Sequence, residues 1–476
     1  MEKSRSEAGN IYRQIVRESG SRTTPAIADG GEVWSYQELF AQVEAAVAEL
    51  RRFGVGPNWR VAVEVENSAA YIALSLAVLA LDAVIVPISM KTPEPEVREI
   101  VRRIGVNLVI SSVAATSADT VWFEAGGMRL AARLLPEVPV IRLELGDGRR
   151  AAFIRFSSGT TGASKGVVLS HQAVLERTTA CERLDINAGE VVPWMLDMAY
   201  HFVVTIILFL RRGAQIVMVR PPFERTLPAA LLAHPPVLLY ATPYHYRLMT
   251  GSPDISAEVL GKVRQAVSTA MRLDPAEAVN FTEKFHIPLI QAYGIIEVGL
   301  PCLNDDLSGG RSTSVGRLQP AYEVNFSEKG EILLRGPGMF DAYLSPFARR
   351  DELFPDGWFP TGDIGNIDEA GYLFISGRAK EVINFMGMKI FPGEVEEVIN
   401  QFPGIVDSRV YGRAAGAPGE IPVAEIVLAA GVGDREDFIT ELRRFCHRQL
   451  SAHQVPMDFT VVEAIARTAS GKIIRR

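Results

Sequence analysis

Residues 60–89, RVAVEVENSAAYIALSLAVLALDAVIVPIS, predict a strand, a helix and a second strand in close succession. RVAVEVEN and AVIVPIS are short runs rich in apolar residues that end at turn residues, whereas AAYIALSLAVLAL is long enough for a buried helix. Apolar strands that alternate with helices are typical of parallel sheets covered by helices on both faces. The segment therefore predicts an α/β fold.

The same alternation continues on both sides of this segment. Upstream, WSYQELFAQVEAAVAELRRFGV starts at an aromatic strand and continues with apolar residues at helical spacing. Downstream, turn residues close the short apolar runs NLVISS, AAFIRFSS, AQIVMVRPP, VLLYATP and PLIQAYG. We therefore expect a large region of α/β subdomains with parallel sheets.

The pattern changes at Gly330. GEILLRGPGMFDAY and GWFPTGDIGNIDEAGYLFISG are dense in glycine and turn signals and predict antiparallel hairpins, hence a β-rich subdomain. After Arg378, strand and helix patterns at EVINFMG, PGEVEEVINQF, IPVAEIVLA and DFITELRRFCHRQL predict a small α+β domain of about 100 residues. We place the boundary at Lys380, which gives an N-terminal domain at residues 1–379 and a C-terminal domain at residues 380–476.

Composition excludes several classes of protein. The chain has 476 residues, 48% of them hydrophobic, and its 49 Lys and Arg against 56 Asp and Glu give a net charge of −7, which argues against a nucleic-acid partner. Cys181, Cys302 and Cys446 are too far apart for a disulfide framework or a metal site. The polar start MEKSRSEAGN predicts no signal peptide, and no apolar run reaches the roughly 20 residues of a membrane span. We therefore expect a cytoplasmic protein without a membrane span.

The sharpest local signal is FSSGTTGASKGVVLSH at residues 156–171. A strand runs into a loop of Ser, Thr and Gly, and a helix follows. Small residues let backbone N–H groups approach an anion, hydroxyls add donors, and Lys165 supplies a charge for phosphates. Gly166 follows Lys165 where a Walker loop has Ser or Thr, so the loop is of another kind. The alternative of a plain surface loop leaves this composition unexplained.

Four weaker signals follow along the chain. QAYGIIEVG (291–299) places Tyr293 at a strand end, where an aromatic ring can stack on a base, and Glu297 where a carboxylate can hold a hard cation. WFPTGDIG (358–365) predicts Asp363 at a tight turn, where it can accept hydrogen bonds from two ribose hydroxyls. The remaining two stretches are residues 376–399, with three basic residues, and residues 466–476, ARTASGKIIRR. Taken singly, each of these four is more often an ordinary turn, surface or terminal segment.

The order of the five stretches resembles that of the adenylate-forming superfamily, which includes acyl- and aryl-CoA synthetases and peptide-synthetase adenylation domains. The resemblance runs from about Trp34 to the last residue. It implies an AMP-forming ligase that uses ATP, Mg²⁺ and coenzyme A, and a small C-terminal domain that is mobile. The residues that it implies for the phosphates of ATP are Ser157, Ser158, Gly159, Thr160, Thr161 and Lys165.

The same resemblance implies roles for residues further along the chain. Tyr293 corresponds to the residue that stacks on adenine, and Glu297 to the Mg²⁺ ligand. Asp363 corresponds to the ribose acceptor, assisted by Arg378. The residues implied in the C-terminal part are Lys380 as the hinge, Lys389 beside the nucleotide, and Lys472 as the catalytic lysine.

The chemistry of carboxylate activation agrees with these roles. A carboxylate is a poor electrophile because its leaving group would be oxide. Attack on the α-phosphate of ATP turns that oxygen into part of AMP, which leaves easily. Two anions must approach each other, so a metal ion and a lysine aimed at the developing charge lower the barrier.

Several positions depart from the family pattern. Ile296 stands where Thr usually precedes the Mg²⁺ ligand, so one phosphate-facing hydroxyl is absent. Thr269 and Met271 replace part of a stretch usually rich in small residues and narrow the predicted acid pocket. Asn384 and Met386 stand where plant aryl-CoA ligases carry lysines.

The acid and its acceptor are predicted from a few further residues. WMLDMAYHF (194–202) resembles the substrate-contacting segment, and His201 stands where amino-acid-activating members carry Asp, so we expect a fatty, aryl or related organic acid without an α-ammonium group. Asp197 is either a partner of His201 or a substrate contact. The further residues expected at the acid are Ser268, Thr269 and Ala292, and those expected at coenzyme A are Gly387 and Arg220.

Two alternatives remain open at this stage. In the first, the acceptor is the phosphopantetheine arm of an acyl carrier protein. In the second, Ile296 marks a catalytically weakened paralogue that only binds a nucleotide or a partner.

Overall fold

The computed structural model describes residues 9–113, 120–157, 165–306, 311–415, 419–432, 435–467 and 473–474. The chain divides into two compact units, which we call the first unit (Met1–Glu323 with Arg335–Trp358) and the second unit (Val324–Leu334 with Phe359–Arg476). The boundary expected at Lys380 lies within the second unit and stays a prediction about the hinge.

The regular elements are as follows. Residues 9–157 contain α1 (Ile11–Ser19), β1 (Pro25–Asp29), β2 (Glu32–Ser35), α2 (Tyr36–Arg52), β3 (Arg60–Glu64), α3 (Ala69–Ala80), β4 (Val84–Pro87), α4 (Glu94–Ile104), β5 (Leu108–Ser111), β6 (Val121–Ala125), β7 (Met128–Leu134) and β8 (Ala151–Ser157). Residues 165–285 contain β9 (Lys165–Ser170), α5 (His171–Thr179), β10 (Val191–Trp194), α6 (Met198–His201), a π-helical turn (Phe202–Ile206), α7 (Ile207–Arg212), β11 (Gln215–Met218), α8 (Phe223–Ala233), β12 (Leu238–Ala241), α9 (Pro243–Gly251), β13 (Gln265–Ser268) and α10 (Pro275–Phe285).

The later part of the chain is richer in strands. Residues 289–353 contain β14 (Leu289–Ile295), β15 (Gly299–Leu303), a 3-10 turn (Arg311–Thr313), β16 (Gly316–Leu318), β17 (Glu323–Phe326), β18 (Glu331–Arg335), β19 (Ala342–Leu344), β20 (Ala348–Arg349) and α11 (Arg350–Leu353). Residues 359–461 contain β21 (Phe359–Ile367), β22 (Tyr372–Arg378), β23 (Ile383–Phe385), β24 (Met388–Ile390), α12 (Pro392–Asn400), β25 (Ile405–Ala414), β26 (Glu420–Leu428), α13 (Arg435–Gln449) and β27 (Asp458–Val461).

The first unit is a mixed α/β structure. One sheet has the strand order β10-β11-β1-β2, a second β20-β19-β9-β8-β4-β3-β5-β7-β6, and a third group β12-β13-β14-β15-β16. The strands β8, β4, β3 and β5 at the centre of the second sheet are parallel. Strand β9 pairs antiparallel with β8, and β19 pairs antiparallel with β9. The strands β12, β13 and β14 are also parallel. The expected α/β fold with parallel sheets is confirmed, and its flanking strands run antiparallel.

Local sequence accounts for the helices that cover these sheets. Helix α2 begins with a capping box in which Ser35 and Glu38 satisfy each other's backbone N–H groups. Helix α3 is buried from Ala69 to Leu79, as its apolar sequence predicts. Cys181, Cys302 and Cys446 are free and buried. Among the helices that the structure describes, none has the length and apolarity needed to cross a bilayer.

The second unit contains strands and two longer helices. Its strands follow the orders β22-β21-β18-β17, β23-β24 and β25-β26-β27. Helices α12 and α13 pack with the last sheet around a core that includes Val395, Val410 and Leu442. The small C-terminal α+β unit expected from the sequence is therefore confirmed.

Two local expectations differ from the structure. The helix expected directly after the phosphate loop, α5, is preceded by strand β9, which starts at Lys165 and pairs with β8. Asp363 lies inside strand β21 rather than at a tight turn. Gly362 has a φ of +76°, and the register shifts between Ile364 and Gly365, so the glycine-rich pattern marks a bulge in a strand.

Candidate functional site

One face of the second sheet carries predicted phosphate-site residues. In the register of β8, β9 and β19, both Arg155 and Tyr343 lie opposite Val167. Lys165 is two positions from Val167 on β9, so it lies on the same face. Ser157 pairs with Lys165 at the end of the hairpin. Three neighbouring strands therefore place Arg155, Lys165 and Tyr343 on one side of the sheet.

Tyr343 connects the predicted phosphate lysine to the predicted metal ligand. The Lys165 ammonium lies 4.7 Å from the centre of the Tyr343 ring. The Tyr343 hydroxyl donates a hydrogen bond to Glu297 Oε1 at 3.4 Å. Burial raises the pKa of Tyr343, and the neighbouring Glu297 carboxylate raises it further, so the hydroxyl keeps its proton. Lys165 and Glu297, predicted from separate stretches, thus belong to one cluster.

Buried hydrogen bonds fix the backbone of the turn that carries Glu297. The Arg177 guanidinium is buried and donates to the Ile296 carbonyl at 3.1 Å and to the Gly338 carbonyl at 2.6 and 2.9 Å. The backbone N–H of Phe340 donates to the Glu297 carbonyl at 2.7 Å. The Ile296 side chain is itself buried, so the position where a hydroxyl was expected packs into the core instead.

Arg155 is a site residue that sequence reasoning missed. It is half-buried, and its Nη1 donates to the Tyr200 carbonyl at 2.9 Å. Its guanidinium lies 5.3 Å from the centre of the Tyr200 ring. Burial lowers its pKa, an effect opposed by the Glu297 carboxylate, by Tyr200 and by the Asp197 carboxylate. The available signal was a charged residue within the apolar strand AAFIRF, directly before the loop.

Asp197 has a defined structural role. Its Oδ1 accepts from the Ala199 N–H at 2.9 Å and so caps the short helix α6. Its Oδ2 accepts from the Ser89 hydroxyl at 2.5 Å. The Asn67 side chain donates to the Leu196 carbonyl and accepts from the Met198 N–H, which holds the same segment. Neither contact of Asp197 is with His201, and its contact with substrate stays a prediction.

Two of the predicted acid-contacting residues, His201 and Thr269, contact the same aromatic residue, Tyr240. The His201 ring lies edge-on to Trp194 at 5.9 Å and to Tyr240 at 6.5 Å between ring centres. The Tyr240 hydroxyl donates to Thr269 Oγ1 at 3.2 Å, so Tyr240 contacts both His201 and Thr269. Ser268 is fully buried beside Thr269 at the end of β13, and Ala292 is buried in β14. A π-helical turn follows His201 directly, a feature frequent at functional sites.

The second unit brings together the two residues predicted for the ribose. Asp363 and Arg378 are directly opposite in strands β21 and β22, and Arg378 Nε lies 2.7 Å from Asp363 Oδ1. Asp363 is buried, whereas the Arg378 side chain is 39% exposed. Lys380 lies in the exposed turn that follows β22, and Lys389 is exposed on β24. Gly387, expected near coenzyme A, has a φ of +82° in the turn between β23 and β24.

Other predicted residues lie elsewhere or outside the described part of the chain. The Arg220 guanidinium contacts Asp29 at 2.6 Å and the Asn67 carbonyl at 2.8 Å. Tyr293 lies half-buried on β14. The residues outside the described part are Ser158, Gly159, Thr160, Thr161 and Lys472, and of Ser157 only the backbone is described.

Comparison with known families covers both parts of the chain. The sequence model described as AMP-binding enzyme matches residues 16–344. A second model, described as AMP-binding enzyme C-terminal domain, matches residues 394–472. The two matches together run through both the cluster around Glu297 and the C-terminal basic stretch.

Individual relatives span almost the whole chain. A 2-succinylbenzoate–CoA ligase of Listeria monocytogenes is 28% identical, with 98% of each chain covered. The long-chain-fatty-acid–CoA ligase FadD13 of Mycobacterium tuberculosis is 28% identical and covers 93% of this chain and 92% of its own. The crystal structure of ATP-bound MatB from Rhodopseudomonas palustris superposes with a TM-score of 0.83 at 23% identity, covering 98% of this chain and 97% of that one. The last likeness concerns the fold.

Proposed function

This chain belongs to the AMP-binding enzyme family, and on that premise we propose that it is an ATP-dependent acid–thiol ligase. It activates a carboxylic acid as an acyl-adenylate, releases pyrophosphate, and transfers the acyl group to coenzyme A. The relatives that match it over nearly their full length are named as CoA ligases, which supports this acceptor.

The observation that carries the proposal is the contact of Tyr343 with both Lys165 and Glu297. It joins a cation and a carboxylate at the end of the hairpin that holds the phosphate loop. Polyphosphate chemistry needs this combination, because the lysine offsets charge on the oxygens and the carboxylate holds a divalent cation.

Glu297 fits the Mg²⁺ that such a reaction requires. Within the described residues, no three or more His, Cys, Asp or Glu side chains form a metal cluster. Mg²⁺ commonly uses one or two carboxylates together with substrate phosphates and water, so a lone glutamate beside a phosphate loop is sufficient. The bound ion would neutralise charge on the phosphates, while Tyr343 orients the carboxylate by its hydrogen bond.

The pair Asp363–Arg378 is suited to the ribose. The buried Asp363 carboxylate can accept from two vicinal hydroxyls, and Arg378 fixes its orientation through the 2.7 Å contact. Lys472 is proposed as the lysine that stabilises the charge developing on the α-phosphate during adenylation.

The acid is proposed to be a fatty, aryl or related organic acid without an α-ammonium group. His201 lies among Trp194 and Tyr240, and aromatic rings favour an apolar or flat acyl group over a charged one. Loading of a carrier-protein phosphopantetheine is the alternative fate of the same adenylate.

The test is pyrophosphate release with Mg·ATP across a panel of carboxylic acids, each with and without coenzyme A. We expect one acid class to release pyrophosphate and to yield an acyl-CoA when coenzyme A is present. Pyrophosphate release without formation of any acyl-CoA would indicate that the acceptor is a carrier protein. If no acid of the panel causes pyrophosphate release while ATP binding is retained, the catalytically weakened paralogue is favoured.

The same assay tests the catalytic lysine. Lys472→Ala is expected to lower the rate of acyl-AMP formation by about 10²- to 10³-fold, because an aimed donor to the developing charge is lost. Conversion of supplied acyl-AMP to acyl-CoA should stay close to the wild-type rate. Lys262→Ala, which removes an exposed lysine, is the matched control. Equal losses in both half-reactions would contradict the role proposed for Lys472.

A further inference from the structure

We propose that Arg155 binds the reacting carboxylate of the acid substrate and holds it against the α-phosphate. This inference rests on the proposed function and adds a residue to it. It assigns a substrate contact to a strand residue that lies two positions before Ser157, the first serine of the phosphate-loop motif.

Arg155 lies between two groups of residues. On its sheet face it has Lys165 and Tyr343 as neighbours, which belong to the phosphate cluster. Its guanidinium contacts the carbonyl and the ring of Tyr200, which directly precedes His201 in the acid-contacting segment. Arg155 therefore lies where the acid and the phosphates must meet.

The Arg155 guanidinium has unused hydrogen-bonding capacity among the described residues. Nη1 donates to the Tyr200 carbonyl, whereas the buried Nε has no hydrogen-bond partner among the described residues. A buried donor without a partner costs free energy, so such groups are usually explained by strain or by a ligand. The planar fork of arginine matches the two oxygens of a carboxylate.

The charges around Arg155 also bear on the binding of an anionic ligand. The Glu297 and Asp197 carboxylates both act on this guanidinium, so an incoming acid anion meets two negative charges. Lys165 lies against Tyr343, on the phosphate side. Arg155 supplies a positive charge that interacts with both carboxylates and can offset the charge of a third anion.

The reaction defines when Arg155 matters. A carboxylate oxygen forms a bond to the α-phosphorus, the bond from that phosphorus to the β-phosphate oxygen breaks, and pyrophosphate leaves with the electron pair. No proton is transferred in this step. The acyl group then no longer carries its negative charge, so Arg155 contributes to the first half-reaction and loses its partner before the second.

The experiment compares Arg155→Gln and Arg155→Lys with the wild type. For Arg155→Gln we expect the KM for the acid to rise about 10- to 100-fold, the effect of losing a hydrogen bond between charged groups. The KM for ATP and the conversion of supplied acyl-AMP should change by less than about threefold. Arg155→Lys keeps the positive charge but loses the planar guanidinium, so its KM for the acid should lie between those of the wild type and of Arg155→Gln.

Arg103→Gln is the matched control, because Arg103 stacks on Phe156 on the opposite face of the same strand, at 4.8 Å from the ring centre. It should leave both KM values unchanged. Binding of the acid in the presence of a non-hydrolysable ATP analogue, measured by calorimetry, gives a readout independent of turnover. The unfolding midpoint of each variant shows whether the fold is retained.

Four results would overturn the assignment. An equal rise in the KM for ATP would make Arg155 a phosphate ligand, and an equal loss with supplied acyl-AMP would make it a support of the fold. A wild-type-like Arg155→Gln would also overturn it and leave the proposed function standing. A wild type that activates no acid would overturn both.

Discussion

His245 is a buried histidine whose surroundings oppose its protonation. It lies in the first turn of α9, with Nδ1 2.8 Å from the Thr242 hydroxyl and its ring edge-on to Phe223. Burial and, to a smaller extent, the nearby Lys91 ammonium together lower the pKa of His245 to about 4. The start of a helix is also an unfavourable place for a positive charge.

The free energy of unfolding should therefore fall in mild acid. The folded pKa of His245 lies below the value of about 6.5 in an unfolded chain, so its contribution is complete above pH 6.5 and is lost as the pH falls toward 4. One proton taken up on unfolding corresponds to a slope of about 1.4 kcal/mol per pH unit. Urea unfolding of the wild type and of His245→Gln at several pH values measures this slope.

Burial also lowers the pKa of His171. The comparison of the wild type with His245→Gln therefore separates the contribution of His245 to the pH dependence from that of His171. His245→Gln should show a shallower loss of stability between pH 6 and pH 4. Parallel profiles for the two proteins would mean that His245 is not the group that takes up the proton.

At the scale of elements, Gly338 allows the loop before β19 to approach helix α5 closely. Gly338 has a φ of +67°, and a Cβ there would lie 2.3 Å from the Arg177 nitrogen and 2.6 Å from the Ala173 oxygen. The same glycine carbonyl accepts from the Arg177 guanidinium, which also fixes Ile296. The close approach of loop and helix therefore supports the position of Glu297.

Gly338→Ala should disturb this arrangement. Its cost combines the strain of a positive φ, about 1–2 kcal/mol, with a backbone clash, so we expect the free energy of unfolding to drop by about 3 kcal/mol or more. Gly127→Ala is the control, since Gly127 has a φ of +73° with nothing within 4 Å of its Cβ. Chemical denaturation of both variants measures the difference. Equal losses would show that the loop moves away at no cost.

The elements that the sequence predicted best are those with a single dominant signal. The apolar sequence of α3 is stable only in a buried position, and the structure buries this helix. The strand β9 was missed because Lys165 and Gly166 have the composition of a loop, while their strand conformation depends on pairing with β8 and β19. Asp363 was expected at a turn because glycine patterns of turns and of bulges are alike.

At the scale of the whole molecule, the order of motifs carried more information than any motif alone. The superfamily expected from the order of five stretches is confirmed by matches to both of its domains. The contacts of Arg155 and Tyr343 were beyond such reasoning, because Tyr343 meets Lys165 and Glu297 only through sheet pairing and a turn distant in the chain. Burial and register decide these contacts, and neither can be read from spacing.

The turn at Lys380 is the expected hinge for the movement of the C-terminal domain between the two half-reactions. Lys380 is exposed and lies two residues after Arg378, where strand β22 ends. A proline there fixes its own φ and restricts Ala379 without touching the core. If the turn is the hinge, Lys380→Pro should spare acyl-AMP formation and slow thioester formation by about tenfold or more, as measured by separate assays of the two steps. Lys380→Ala, which removes the side chain but leaves the backbone free, is the control. An unchanged second step in the proline variant would place the hinge elsewhere in the chain.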